Sequence, residues 1–261
     1  MESSESTQFI PTEEDYINTE IELFMLLNQC RENPSLLISI LESTIPRFNG
    51  KIYHPKSGQE NYITQEGVMV VYETIKRLKN QAPLPPLKLS KGLFLAAKTH
   101  SNDIGENGLA SHQGSDGLTL SQRVEYFGEW RGLIAENIAF NDFLAEDILI
   151  NFILDDGNPN RGHRENILNP QLQCIGISCG PHSVHRSCCV INFSTEMYEV
   201  EVENEEFDYI LEQVGRYGKS DLVNQDMYED SSDEGESNLG ENGEFKIEDK
   251  KKVGYLTRGE I

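Results

Sequence analysis

The sequence predicts a mixed α+β fold with one main domain. Several stretches place apolar residues at helical spacing, and a few shorter ones favour strands. At 261 residues and a hydrophobic fraction of 37%, the chain is long enough to bury one real core. No apolar stretch approaches the roughly 18–20 residues that cross a bilayer, so we predict no transmembrane segment.

The helices follow from apolar periodicity and from residues that start helices. The second helix begins at Pro34, because proline is tolerated in the first turn, and Ser90 caps the fourth. The predicted helices cover residues 13–29, 34–42, 65–80, 90–105, 121–127 and 144–154.

Strands are fewer in the prediction. The last of them alternates around Cys189, Ile191 and Phe193. The polar, glycine-containing segment 48–62 is predicted to be a loop. The predicted strands cover residues 132–140, 173–178 and 187–193.

Charge divides the chain into parts. The formal net charge is −22, and residues 197–261 hold 19 acidic and 7 basic residues, a net of −12. We therefore predict a polar N-terminal arm (1–14), a folded domain (15–196) and a flexible acidic C-terminal tail (197–261). Within the tail, a short helix at 204–214 is followed by an extended or disordered segment. The large excess of negative charge argues against binding to nucleic-acid phosphates or to an anionic membrane.

The acidic tail has apolar residues on both sides of its most acidic run. We predict that these residues bind a protein partner with a basic surface; the alternative is a flexible acidic appendage. Two serines followed by acidic residues are candidate phosphorylation sites, and phosphate there would strengthen contact with an arginine-rich partner. The predicted partner-binding residues are Phe207, Ile210, Leu211, Tyr255 and Leu256, and the candidate phosphorylation sites are Ser231 and Ser232.

The cysteines and the N-terminus indicate an intracellular protein. The five cysteines are odd in number and contain no C-x-x-C pair, which favours reduced thiols over a disulfide framework or a zinc site. The first residues are acidic and polar, unlike a signal peptide. We therefore expect a cytoplasmic or other intracellular location, with secretion by an unconventional route as the open alternative.

Four short strings place a histidine or a carboxylate beside small or turn-forming residues. They are the segments 109–112, 135–139, 154–157 and 161–170. Two imidazoles and two carboxylates that converge would form a cleft suited to a divalent metal or to acid–base chemistry. The spacing of the histidines matches no local metal motif. The alternative is therefore that the histidines are structural.

In this order, the strings resemble the CAP superfamily, the cysteine-rich secretory, antigen 5 and pathogenesis-related proteins whose domain is also called SCP. The resemblance runs from about Leu26 to Phe193 and includes the segments 83–108 and 112–123. It implies a three-layer α-β-α sandwich and a large cleft lined by two histidines and two acids. The sequence departs from the family in lacking its disulfides and secretory signal, and in having Phe152 for a usual tryptophan.

Carried onto this sequence, the resemblance implies a cleft of His112, Glu136, Asp155 and His163, with Asp156 as a competitor for the third position. His112 and His163 would bind zinc or another divalent cation weakly, through one ring nitrogen each. The two carboxylates would accept hydrogen bonds from the other ring nitrogens.

Three functions are consistent with this sequence. The leading hypothesis is an intracellular, non-catalytic CAP binding or scaffolding module whose acidic tail docks on a protein partner. The alternatives are a metal-dependent hydrolase that uses the same cleft, and an architectural subunit whose cleft is a relic. The resemblance alone also implies lipid or sterol ligands. No serine or cysteine lies in a recognisable nucleophile elbow.

Overall fold

The computed structural model describes residues 10–56 and 61–225, with side chains described as far as Arg216. The most acidic part of the tail therefore lies outside the described residues, together with Ser231, Ser232, Tyr255 and Leu256. Among the described residues, no helix has both the length and the apolar character needed to cross a membrane.

The described residues form eight α-helices and seven strands. The helices are α1 (Glu13–Glu32), α2 (Pro34–Thr44), α3 (Met69–Leu78), α4 (Lys91–Asn107), α5 (Leu120–Glu125), α6 (Ala145–Leu154), α7 (Gly162–Ile167) and α8 (Glu205–Gln225). The strands are β1 (Phe48–Asn49), β2 (Ile52–Tyr53), β3 (Tyr62–Ile63), β4 (Lys88–Leu89), β5 (Gly128–Phe140), β6 (Cys174–His182) and β7 (Arg186–Glu199).

A four-stranded sheet in the order β4-β6-β7-β5 forms the middle layer of the domain. β4 pairs with β6 in parallel, whereas β7 pairs in antiparallel fashion with both β6 and β5. Because side chains alternate along a strand, Cys189 and Ile191 pack against α1, α2, α3 and α6, while Cys188 and Val190 pack against α4. With α5 beside α4, this arrangement confirms the predicted three-layer α-β-α fold.

Several elements differ from the prediction because they are short or lack a periodic signal. The segment 48–62 was predicted as a loop, but it contains β1 and β2 and leads into β3, which together form a small antiparallel sheet. β4 and α7 have only two and six residues, too few for a periodic pattern. α8 continues to Gln225, beyond the predicted end at residue 214.

A buried arginine connects α1 to two loops. Arg31 is 1% exposed, and among the described residues its guanidinium donates hydrogen bonds only to backbone carbonyls. Burial lowers the pKa of Arg31 to about 10, which still leaves the side chain charged at neutral pH. The bonds fix the chain after α7, the element that carries His163. The accepting carbonyls belong to Pro85, Ile167, Asn169 and Leu172.

The five cysteines are free thiols. Cys179 and Cys189 lie directly opposite each other on β6 and β7, with their sulfur atoms 2.7 Å apart. Burial raises the pKa of both Cys30 and Cys188 to about 12, so these thiols are neutral at physiological pH.

Helix α8 packs against the domain to which it is joined. Phe207 and Ile210 are buried against Ile21 of α1 and Phe94 of α4. Lys98 forms an ion pair with Glu206, and Lys91 forms another with Asp208 at 2.9 Å. Both Phe207 and Ile210 are thus buried within the chain in this structure, and their contact with a partner stays a prediction. Leu211, on the outer side of α8, is 50% exposed.

We predict that Phe207→Ala lowers the free energy of unfolding by about 3 kcal/mol, because it leaves a cavity against Phe94. The matched variant Leu211→Ala should change it by less than about 0.5 kcal/mol, since that side chain is exposed. Urea unfolding followed by circular dichroism measures both. Equal effects of the two substitutions would show that α8 does not dock.

A candidate binding site formed by two histidine–carboxylate pairs

The candidate site is built on the edge strand β5. Successive side chains on a strand point to opposite faces, so Glu136 faces the layer of α4 and α5, while Asn137 faces the layer that contains α6 and α7. Both side chains are buried. Glu136 contacts His112 and Asn137 contacts His163. Strand β5 thereby links the two halves of the site.

The first pair is His112 with Glu136. His112 lies in the loop between α4 and α5, and its Nδ1 is 2.8 Å from Glu136 Oε1. Arg123 of α5 donates to Glu136 Oε2 at 2.6 Å and to the His112 carbonyl oxygen at 3.0 Å. Arg123 thus fixes both Glu136 and His112. His112 is held by Arg123 at its backbone carbonyl and by Glu136 at its ring.

The charge of Glu136 is stabilised in a fully buried position. Burial raises the pKa of this carboxyl, but the hydrogen bond from His112 and the positive charge of Arg123 more than offset that effect, so the pKa lies below its usual value. His100 is 3.9 Å from Glu136 Oε1. Burial lowers the pKa of His100, whose Nε2–H donates to the Ser111 carbonyl oxygen. His100 is therefore neutral and supports the loop before His112.

The second pair is His163 with Asp155. Asp155 Oδ1 is 2.9 Å from His163 Nδ1, and Oδ2 accepts the backbone N–H of His163 at 2.8 Å. The ring of Phe152 packs 5.4 Å from the imidazole of His163, centre to centre. Asn137 donates to the His163 carbonyl oxygen at 3.0 Å, which connects this pair to β5.

The structure distinguishes Asp155 from its competitor. Asp156 accepts the backbone N–H groups of Gln65 and Glu66, at 2.6 and 2.9 Å, and so anchors the segment before α3. Asp155 ends α6 with φ +49°, in the left-handed region. Aspartate tolerates that region better than most residues, and its short side chain bonds to the chain nearby.

The two imidazoles present the same nitrogen atom outward. A carboxylate can only accept, so Nδ1 of each ring carries a proton, and Nε2 of a neutral imidazole then has a free lone pair. The side chains of His112 and His163 are 31% and 24% exposed, and neither Nε2 bonds to any described residue. The site therefore offers two oriented acceptor nitrogens supported by two buried carboxylates.

Arg123, His100 and Asn137 support the site and were not predicted to belong to it. The chain segments that carry the family resemblance include all three residues. Only the contacts in the folded protein distinguish them from ordinary buried polar residues. Asn166, which donates to Asn137 Oδ1 at 2.8 Å, completes this support.

We predict that Glu136→Gln lowers the free energy of unfolding by about 3 kcal/mol at pH 7, because Arg123 is left buried without its counter-ion. A lowered pKa stabilises the fold above the ordinary carboxyl pKa, and that stabilisation is lost as the pH falls through the lowered value. The difference from wild type should therefore narrow below about pH 4. Urea unfolding as a function of pH measures this; the exposed Glu129→Gln serves as control and should show no such trend.

Comparison with known proteins gives a family match, and the similar solved structures include an extracellular protein and an outer surface protein. The sequence profile of the cysteine-rich secretory protein family, CAP, matches residues 28–193. An SCP-domain extracellular protein from Bacillus anthracis str. Ames is 25% identical, with a TM-score of 0.36, over 49% of this chain and 39% of that chain. An outer surface protein from Borrelia burgdorferi is 20% identical, with a TM-score of 0.38, over 56% and 98%. No curated protein sequence matches the chain.

The alignment with the Bacillus protein spans less than half the length of that protein. The family profile, in contrast, covers more than half of this chain and includes both histidine–carboxylate pairs. The resemblance inferred from the four strings is thereby confirmed. The chain belongs to the CAP family of cysteine-rich secretory proteins.

Proposed function

We propose that this protein is a non-catalytic binding or scaffolding module. The observation that carries the proposal is that each carboxylate of the site already orients an imidazole. Glu136 is bonded to both His112 and Arg123, and Asp155 accepts two bonds from His163. The alternative, a zinc hydrolase, would use a free carboxylate beside the metal-bound water as its general base, and both carboxylates of the site are engaged with imidazoles.

We infer that the two imidazoles form a weak site for a divalent cation. Nε2 of His112 and Nε2 of His163 would be the ligands, and the buried carboxylates would hold both rings in the correct tautomer. Among the described residues, no group of three or more His, Cys, Asp or Glu side chains could hold a metal ion. Catalytic zinc sites have three protein ligands, so this donor set favours binding over hydrolysis. A bound zinc ion would attract an oxygen atom of a ligand.

We predict that zinc binds weakly to the wild-type protein, with heat detectable by calorimetry at roughly millimolar zinc. The double variant His112→Ala, His163→Ala should lose this heat. Replacing the exposed His54 by alanine, as a control for non-specific histidine binding, should leave it unchanged. Absence of heat in the wild type would remove the metal from the proposal, while hydrolysis of an amide or ester that depends on zinc would favour the hydrolase alternative.

The acidic tail is the second part of the proposal. Helix α8 is anchored to the domain through Phe207 and Ile210, and it presents Leu211 and Tyr209 outward. Beyond Gln225 the sequence continues with the acidic run and with Tyr255 and Leu256. We infer that this later part docks on a protein partner with a basic surface. Phosphate on Ser231 or Ser232 would strengthen the contact. An intracellular location and a lipid or sterol ligand stay predictions.

We predict that a chain ending at Gln225 loses proteins that co-purify with the full chain. Ending there keeps α8, whose removal would expose Phe94 and destabilise the domain. A full-length control with residues 226–261 in scrambled order keeps the charge but displaces the apolar anchors, and it should also lose the partner. Retention should weaken between roughly 50 and 500 mM salt, because ionic contacts are screened. If the chain ending at Gln225 retains every partner, the tail proposal is wrong.

A further inference from the structure

Two of the free thiols lie close enough to react with each other. Cys179 on β6 and Cys189 on β7 are partners in the strand register, and their sulfur atoms are 2.7 Å apart. Both side chains belong to the face of the sheet that packs against α1 and α6. The two sulfur atoms of a disulfide are roughly 2.05 Å apart, so only a small movement of the side chains separates this pair from a bond.

The backbone geometry of the pair also suits a disulfide. The N–H of Cys179 donates to Oε1 of Glu20 on α1 at 2.7 Å, and it therefore does not bond to β7. In an antiparallel ladder this identifies Cys179 and Cys189 as a pair that exchanges no backbone hydrogen bonds. The Cα atoms of such pairs are about 4.5 Å apart. This separation lies within the range of roughly 4.4–6.8 Å that disulfides require.

The two thiols differ in their access to solvent. Cys189 is 0% exposed, whereas Cys179 is partly exposed and lines a pocket of about 330 Å³ beside α1 and α4. Hydrogen peroxide is little larger than a water molecule, which occupies roughly 30 Å³, so it fits this pocket. An oxidant of this size would therefore reach Cys179 first.

The adjacent Cys188 is directed away from the pair. Successive side chains on a strand point to opposite faces, and Cys188 packs with Ile104 of α4 on the other side of the sheet. The sheet thus lies between Cys188 and the thiol of Cys179. Of two neighbouring cysteines, one is a candidate partner and the other a matched control.

We propose that Cys179 and Cys189 form a reversible disulfide when a peroxide oxidises the pair. With hydrogen peroxide, the sulfur of Cys179 attacks one oxygen, the O–O bond breaks, and a sulfenic acid and one water molecule form. The sulfur of Cys189 then displaces the hydroxyl group, which leaves as a second water with the proton of the Cys189 thiol. The two thiols are oxidised by two electrons, and the peroxide is reduced to water.

The environment of Cys179 indicates a slow reaction. Burial raises the pKa of this thiol well above its ordinary value, and the neighbouring Cys189 and Glu20 raise it further. The thiolate is the reactive form, so its scarcity at neutral pH means that oxidation needs an excess of peroxide. The pair therefore differs from an exposed sensor thiol, which reacts quickly and on its own.

The disulfide would tie β6 to the central strand of the sheet. β4 pairs only with the first two residues of β6, so among the described strands β7 is the neighbour of β6 at Cys179. A covalent bond there also restricts the unfolded chain. A reducing compartment would keep the two thiols, and an oxidising one would favour the bond. The inference does not depend on the proposed function of the histidine pairs.

The test is oxidation of the reduced full-length protein with excess hydrogen peroxide, then alkylation of the remaining thiols in urea, trypsin digestion and mass spectrometry. Trypsin cuts after Arg186, between the two cysteines, so the disulfide joins two peptides that dithiothreitol separates. We expect the joined peptides in the wild type and their loss in Cys179→Ala and in Cys189→Ala. Cys188→Ala should retain them, because that side chain faces α4.

Urea unfolding gives a second measurement on the same samples. Peroxide should shift the midpoint of the wild type to a higher urea concentration and leave that of Cys179→Ala unchanged, which also controls for oxidised methionine. Cys179 is partly exposed, so this variant should fold even if Cys189→Ala does not. The proposal is overturned by absence of joined peptides in the wild type, by joined peptides that persist in Cys179→Ala, by sulfinic acid on Cys179 in place of the bond, or by an unchanged wild-type midpoint.

Discussion

The alternation of side chains along β5 is the constraint on which the site depends. Glu136 and its neighbour Asn137 are buried on opposite faces of the sheet, and each fixes one histidine. The pairing of Glu136 with Asn192 on β7 determines which residue faces which layer. A shift of one residue in this register would exchange the two faces and separate both histidines from their supports. The site is therefore specified by the same hydrogen bonds that hold the sheet together.

Buried arginines hold the loops and helix ends around the site in place. Arg164 is 1% exposed, donates to the carbonyl oxygens of Ile153 and Leu154 at the end of α6, and forms two bonds with Glu73 of α3. It follows His163 directly, so it holds the end of α6 next to that histidine. Arg164 remains buried because Nε, Nη1 and Nη2 each donate to a fixed acceptor, and removal of the guanidinium would leave two backbone carbonyls unpaired.

The sequence allowed the prediction of the layer architecture and of all four residues in the histidine pairs, because the strings that carry them occur in the family's order. It could not decide between Asp155 and Asp156, since both are carboxylates at the end of one helix, and only the left-handed backbone directs Asp155 toward His163. Helical periodicity identified the apolar side of α8. It could not show which surface Phe207 packs against. A pattern of apolar residues indicates that a side chain is buried, but not which residues bury it.

The first half of β5, which contains Glu129, Arg131 and Gly132, affects how copies of this protein can associate. Glu129 and Arg131 form an ion pair on this strand, with side chains 59% and 53% exposed, and the register with β7 shifts between Arg131 and Ile134. Gly132, within that irregularity, has φ +77°. Charges and a bulge on an edge strand oppose the addition of a strand from another molecule. Extension of the sheet across this edge is thus disfavoured, which protects the protein from edge-to-edge aggregation although β5 is long.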